Sequence, residues 1–386
     1  MSTQQSNKDN SGDVNTEIGT SAKRWVIKIG SALLTKDGKG LDFAAIADWT
    51  EQIADLRKQG KEIILVSSGS VAEGMSRMGW TSRPKELAKL QAAAAIGQTG
   101  LIETYESNFK QYGIQAAQIL LTHDDVNNRK RYLNARNTLR TLLRLQALPI
   151  VNENDTVALE EMRLGDNDTL GALVANLVEA DLLVILTDQE GLFDKDPRHN
   201  DDATLISYES ATNPELLTFA GSVSTALGSG GMTTKITAAQ RAARSGCATI
   251  IASGRKNKVL QRLAQGEHLG TLLVPDTTSL VARKQWIASH VQARGVLVLD
   301  EGACLSILKK GGSLLPVGVE HSEGNFNRGD IVDCKNQQGD IIARGLVNYS
   351  TNDAEKIYKV ASENISKVLG YQGESELIHR DNLVIL

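Results

Sequence analysis

Six apolar runs of strand length alternate with helix-length segments over most of this chain, and that alternation restricts it to an α/β architecture. The runs are WVIKIG (25–30), EIILVSSG (62–69), IQAAQILLT (114–122), ALPIVNEND (147–155), DLLVILTD (181–188) and CATIIASG (247–254). A strand with one wet face alternates apolar and polar residues. Runs as continuous as these need cover on both faces, the condition of strands inside a parallel sheet. Helices are expected over 42–59, 127–146 and 168–180. In the last of these Leu170, Leu173, Val174, Leu177 and Val178 recur at i, i+3, i+4, i+7 and i+8, which predicts an apolar stripe on one face. Thr233 or Thr234 is expected to cap a further helix through KITAAQRAARS, with Gly246 just past its end. The expected fold is a three-layer αβα open sheet, mainly parallel.

The pattern changes near residue 276. DTTSLVARKQWIASH (276–290) reads as a linker, and over 291–371 short apolar runs lie between glycine-containing turns, as in a small β-rich domain. At 386 residues the chain is long for one domain and comfortable for two of about 100–200 residues each. The α/β domain is placed at 24–275. Residues 1–23 carry no apolar stretch and read as a disordered polar tail with no signal peptide; 372–386 read as a C-terminal tail.

Composition excludes several classes of function. Aromatic residues make up only 4% of the chain, too few for a surface that stacks sugars or bases. A net charge of -4 argues against nucleic acid as the main partner. The three cysteines, Cys247, Cys304 and Cys334, are far apart and share no ligand spacing with the histidines, so no structural zinc site is expected. That usage fits a reduced, cytoplasmic protein. The longest aliphatic runs, such as LLVIL at 182–186, are too short to cross a bilayer, and no membrane partner is expected.

In an open α/β sheet, ligands bind at the carboxyl ends of the strands. After IILV comes Ser67-Ser68-Gly69-Ser70, after PIV comes Asn152-Glu153-Asn154-Asp155, and after LVIL comes Thr187-Asp188. Lys28 stands among Val26, Ile27 and Ile29, where an unpaired charge is costly unless the strand is a solvated edge. Gly165-Asp166-Asn167-Asp168 opens a helix, where an Asp is most often a cap. The loop Ser229-Gly230-Gly231-Met232-Thr233-Thr234-Lys235 offers backbone N–H groups before a helix, an arrangement that favours anions, but it lacks the adjacent Gly-Lys-Ser/Thr of a Walker A motif. Two lysines, an anion-friendly loop and two acidic clusters, with no Ser–His or Cys–His pair, fit phosphoryl transfer better than hydrolysis.

VIKIGS, LVSSGSVAEG, VNENDTV, GDNDTL, LLTDQEGLFDKDPR and GSGGMTTK occur in this order, and together they resemble the amino-acid kinase superfamily. Within it they are similar to the branch that phosphorylates free L-glutamate, and the β-rich region resembles the PUA domain, a small barrel, that many such enzymes carry. The resemblance runs from about Trp25 to the C-terminus. It implies ATP-dependent phosphorylation of the glutamate γ-carboxylate to L-glutamyl 5-phosphate, the first step of proline biosynthesis, under feedback inhibition by proline. It further implies that Lys28 and Lys235 contact the ATP phosphates and that Asp168 holds both lysines. Ser68, Gly69, Asn152, Asp155 and Asn167 would form the glutamate site. Thr187, Asp188 and the loop from Ser229 to Lys235 would take the nucleotide. Mg²⁺ would arrive with ATP, held by phosphate oxygens and water, so no protein ligand is assigned to it. The acyl phosphate would pass to glutamyl-phosphate reductase, and the enzyme would be a homodimer or homotetramer. Three features depart from the family pattern: a polar extension of roughly 20 residues before Lys23, Ser70 where Ala is common, and Phe193 where Tyr is common.

Three other readings compete. A sibling kinase would act on aspartate, N-acetylglutamate or a nucleoside monophosphate; an N-acylated or nucleotide substrate offers Asp155 no ammonium. An RNA-binding PUA protein would need a basic surface, yet residues 291–350 carry six basic and seven acidic side chains. A catalytically dead regulatory binder is disfavoured because both lysines and Asp168 are present.

Overall fold

A computed structural model of the chain describes residues 17–157, 167–220, 231–276, 281, 284, 287–288 and 293–386. Most of the expected N-terminal tail lies outside the described residues, as do most residues of the expected linker; its last part is not disordered, since 17–21 are helical and Ile18 and Ala22 pack on the core. The chain divides into two compact units, Met1–Thr278 and Ser279–Leu386.

The first unit is built on one eight-stranded sheet. Its strands are β1 (Arg24–Ile29), β2 (Glu62–Val66), β3 (Ala116–Leu121), β4 (Leu148–Glu153), β5 (Leu182–Thr187), β6 (Tyr208–Ser210), β7 (Ala248–Ser253) and β8 (Thr271–Val274). They lie in the order β3-β4-β2-β1-β5-β7-β8-β6. From β3 to β7 every neighbouring pair is parallel, and the reversal comes between β7 and β8. The chain builds outward from β1 to one edge and from β5 to the other, so the strand order switches where β1 meets β5.

Alternation along the strands feeds two cores. Trp25, Ile27 and Ile29 enter one with Trp49, Ile53, Tyr105 and Phe109. Val26 enters the other with Leu170, Val174, Ile185 and Ala239. Successive side chains on a strand point to opposite faces, so Lys28 shares the face of Val26. A Cβ added at Gly171 would lie 3.5 Å from Lys28 Cβ, which puts the helix Asn167–Val178 directly over the lysine stem.

That helix is buried nearly all round rather than on one stripe, and Leu173, expected on the apolar face, is only half-buried. The reason is a second layer of cover. The helix Met232–Ala243 packs against it, and Asn176 Nδ2 donates to the Arg241 carbonyl at 3.1 Å. On the other face the helices Ser70–Arg77 and Leu87–Lys110 cross with backbones in contact. A Cβ at Gly74 would sit 1.8 Å from the Ala93 carbonyl oxygen, and one at Gly97 would sit 1.8 Å from that of Ser70.

The second unit carries a mixed sheet of β9 (Gly295–Leu299), β10 (Val319–Gly324), β11 (Ile331–Lys335), β12 (Ile341–Leu346) and β13 (Leu383–Ile385), ordered β10-β9-β11-β12-β13. Leu297, Leu299, Phe326, Val332 and Ile357 fill its core. The stretch EGACLSILKK, expected among short strands, is a helix, Glu301–Lys310. Asp300 caps it by accepting from the Ala303 N–H at 2.8 Å, Lys309 and Lys310 close its last turn, and Gly311 ends it at φ +59°. Residues 372–386 bring Leu377, Ile378 and Leu383 into the core, and β13 pairs with β12. A three-residue strand carries too little alternation to be recognised in sequence.

Candidate active site

The carboxyl ends of β1, β2, β4, β5 and β7 share one edge of the sheet because these strands are parallel. Lys28 stands at that edge in a central strand, only 5% exposed, so the alternative of a solvated edge lysine does not apply. Its Nζ lies 2.5 Å from Asp168 Oδ1, and Lys235 Nζ lies 3.0 Å from Asp168 Oδ2. Asp168 sits in the first turn of its helix, 1% exposed, and the Thr234 hydroxyl is 2.8 Å from Oδ2. It spans two lysines and is not a simple cap. Burial by itself would raise the Asp168 carboxyl, but the Lys28 and Lys235 ammoniums beside it hold it well below the usual carboxylate range. Two ammoniums against one carboxylate leave these three buried groups with an excess of one positive charge, an arrangement that favours an anion nearby.

The nucleotide side of the expected site surrounds this trio. Thr187, 8% exposed at the end of β5, donates from Oγ1 to Asp188 Oδ1 at 3.1 Å, and its carbonyl accepts from the Gly254 N–H at 2.8 Å. A Cβ at Gly30 would press on the Leu186 carbonyl oxygen at 3.2 Å and would touch Lys28 Nζ at 3.8 Å. The N-cap of the helix Met232–Ala243 is Gly231, which has no side chain to satisfy the first N–H groups. This corrects the capping expectation. Thr233 is exposed in the first turn, and Thr234 turns its hydroxyl to Asp168 and to the Gly231 carbonyl. Met232 is half-buried against the second core. Ser229 and Gly230 lie outside the described residues, as do Gly165 and Asp166.

On the other side, Gly69 adopts φ +103°, a backbone that a side chain resists, and opens the helix Ser70–Arg77. Asn167 Nδ2 donates to the Ser67 carbonyl at 2.8 Å, to Ser68 Oγ at 2.9 Å and to Asn152 Oδ1 at 3.1 Å. Its Oδ1 is buried and has no hydrogen-bond partner among the described residues. Asn152, expected in the glutamate site, belongs to the same network. Its Oδ1 also accepts from the Glu153 N–H at 2.9 Å, and its Nδ2 reaches Gln98 Oε1 at 2.7 Å and Ser70 Oγ at 3.5 Å. Both polar atoms of Asn152 thus have partners within the protein. Asp155 is 7% exposed and accepts from Ser70 Oγ at 3.3 Å. Burial, with the Glu153 carboxylate next to it, pushes the Asp155 carboxyl up to about 7.

The sequence matches the profile of the amino acid kinase family over residues 23–253 and that of the PUA domain over 295–369. It is 61% identical over 365 residues to the glutamate 5-kinase of Thioalkalivibrio sulfidiphilus, covering 95% of this chain and 97% of that protein. The chain belongs to the glutamate 5-kinase family. Enzymes of the same name from Marinomonas sp. and Stutzerimonas stutzeri are each 59% identical over 365 residues, covering 95% of this chain and 98% of theirs.

Some of the residues that shape this candidate site escaped sequence reasoning. Tyr105 is fully buried with its hydroxyl 3.0 Å from Ser67 Oγ, and Gln98 holds Asn152. Both lie on the long helix Leu87–Lys110, far from any strand end. The one available signal was the pair Gly97 and Gly100 inside an alanine-rich helix, which marks a close backbone approach. No group of three His, Cys, Asp or Glu side chains suited to a metal ion occurs among the described residues. The Lys28 and Lys235 ammoniums would suit a phosphate chain, and Asp188 is a carboxylate on the same side.

Proposed function

We propose that this chain transfers the γ-phosphoryl group of ATP to the γ-carboxylate of L-glutamate, with Lys28 and Lys235 as the charge-stabilising groups and Asp168 as their anchor. The observation that carries the reading is the buried Lys28–Asp168–Lys235 trio at the carboxyl edge of the sheet, in a chain of the glutamate 5-kinase family. An unperturbed glutamate side chain titrates near ~4.3, so the nucleophile is already ionised at neutral pH and no general base is needed. The obstacle is repulsion between that carboxylate and the γ-phosphate. Two preorganised ammoniums in a dry site oppose it most strongly as charge spreads over the phosphoryl oxygens. A carboxylate oxygen forms the new bond to phosphorus while the bond to the β–γ bridging oxygen breaks, and ADP leaves with that electron pair.

At the glutamate site, Ser68 Oγ and the N-terminus of the helix Ser70–Arg77 are donors suited to the α-carboxylate. Asn167 Oδ1 and Asp155 are acceptors suited to the α-ammonium. Thr187, Asp188 and the segment Gly231–Lys235 line the side assigned to ATP, and Mg²⁺ would neutralise the phosphates. Family membership supports the remaining expectations: an acyl phosphate consumed by a reductase, proline as a feedback inhibitor, a cytoplasmic location and a homo-oligomer.

Asp155 offers a separable test. A carboxyl poised at about 7 is fully ionised only above that pH, so the KM for glutamate should rise about tenfold per pH unit below it. Asp155→Asn should remove this dependence and raise the KM for glutamate far more than that for ATP. Its effect on stability should be opposite. The folded carboxyl lies above its ordinary value of 3.8, so its contribution to stability is lost as pH rises from 3.8 to about 7. Above pH 7 the variant should be more stable, by at most about 4 kcal/mol at ~1.4 kcal/mol per pK unit. Urea unfolding at pH 8 that shows a less stable variant would contradict this account of Asp155.

The reaction itself is tested by trapping. Protein, Mg-ATP and L-glutamate are incubated with hydroxylamine, and the hydroxamate is read as its ferric complex, with L-aspartate and N-acetyl-L-glutamate in parallel. Hydroxamate from glutamate alone is expected. Product from another acceptor, or from none, would overturn the assignment.

A further inference from the structure

Gln98 belongs to none of the sequence motifs, yet it touches the network that orients the glutamate site. The hydrogen-bond chain has no freedom in its direction. A backbone carbonyl only accepts, so the Asn167 atom 2.8 Å from the Ser67 carbonyl oxygen is Nδ2, and Oδ1 is turned the other way. A backbone N–H only donates, so the Asn152 atom 2.9 Å from the Glu153 nitrogen is Oδ1. Asn152 Nδ2 must then point to Gln98, whose Oε1 accepts at 2.7 Å. Backbone groups set the sense of both asparagines, and the side-chain bonds join them into one network from Gln98 on the long helix through Asn152 on β4 to Asn167, the first residue of the helix Asn167–Val178. The chain ends at Asn167 Oδ1, a buried acceptor without a partner among the described residues.

The placement of Gln98 is built into the fold. Gly97, its neighbour, lies where the helix Leu87–Lys110 crosses the helix Ser70–Arg77, and a Cβ there would come within 1.8 Å of the Ser70 carbonyl oxygen and 2.4 Å of the Gly74 nitrogen. That contact sets the height and rotation of the long helix. Gln98 also lines a cavity of about 370 Å³ with Thr99, Ile102, Glu153, Asp155 and Thr156, so it borders the acidic side of the site directly.

We propose that Gln98 is a positioning residue for glutamate: by holding Asn152 it keeps Asn167 Oδ1 turned toward the substrate's α-ammonium. The inference rests on the functional reading above. Gln98→Met removes the acceptor with little change in length. The KM for glutamate should rise about tenfold, the size expected for one misdirected buried hydrogen bond, while kcat, the KM for ATP and the melting temperature stay within about twofold or a few degrees. Gln98→Glu keeps an oxygen acceptor for Asn152 Nδ2 and should remain nearer to the parent protein in glutamate KM. In an Asn152→Ala background, Gln98→Met should have almost no further effect, because the residue through which it acts is gone.

An unchanged glutamate KM in Gln98→Met would overturn the proposal. So would additive effects in the double variant, or a parallel loss in both KM values and in melting temperature, which would mark a merely structural role. Failure of the proposal is distinguishable from failure of the functional reading. In the first case the parent protein still makes hydroxamate from glutamate; in the second it makes none.

Discussion

Lys235→Ala should lower kcat by a factor of about 10² to 10³ or more and leave a folded protein, and Lys28→Ala should do the same. Removing one preorganised donor from a developing oxyanion costs about 10² to 10³ in an acyl-transfer site, and two lysines on one phosphoryl group act in the same way. The fold should survive because Asp168 keeps a partner in each variant. Without Lys235 it retains Lys28 at 2.5 Å and the Thr234 hydroxyl at 2.8 Å. Without Lys28 it retains Lys235 at 3.0 Å. The two lysines act on one phosphoryl group, so the double variant should be far less impaired than the product of the two single effects. Steady-state hydroxamate rates with circular dichroism melts on the same preparations decide the matter. Near-normal kcat in either single variant would remove that lysine from the chemistry.

Asp168→Asn should be the most destabilising of the conservative changes at this site. It keeps the shape but leaves two ammoniums, 5% and 4% exposed, without the carboxylate that both contact. Breaking a buried pair by removing one partner costs about 3–5 kcal/mol, and here one removal breaks two pairs. The sign of the pH dependence follows from the depressed carboxyl. Asp168 contributes stability above its unfolded value near 3.8 and loses it as pH falls toward its lower folded value. The gap between parent and variant should therefore be full at pH 7 and narrow below pH 3.8. Activity should fall too, since the lysines lose their alignment. A variant as stable as the parent at pH 7 would mean that other groups neutralise these lysines.

Much of the first unit was legible because strand and helix periods are local. The runs at 25–30, 181–188 and 247–254 each carry a strand, since continuous hydrophobicity reports cover on both faces wherever the strand lies in the sheet. The helix Asn167–Val178 was legible as a helix, but its burial on all sides was not. Periodicity records a residue's own hydrophobicity and says nothing of a second layer arriving from the helix Met232–Ala243. The helix Glu301–Lys310 was missed although its cap and C-terminal glycine were in plain view, because the short apolar runs around it are strands. Thr234 was misread for a related reason. A threonine before a helix signals a cap only when nothing more strongly charged competes for its hydroxyl, and here Asp168, a separation of 66 residues away, does so.

The sequence by itself determined the α/β class, the edge at which polar residues gather and the phosphoryl-transfer chemistry they suit, because each of these depends on residue type and short-range spacing. Only the tertiary structure decided which of those residues meet. Lys235 reaches Asp168 across 67 positions, and Asn152 reaches Gln98 across 54. Such contacts follow from how strands order themselves in the sheet and how closely two glycine-bearing helices cross. They are properties of packing, and a local pattern does not carry them.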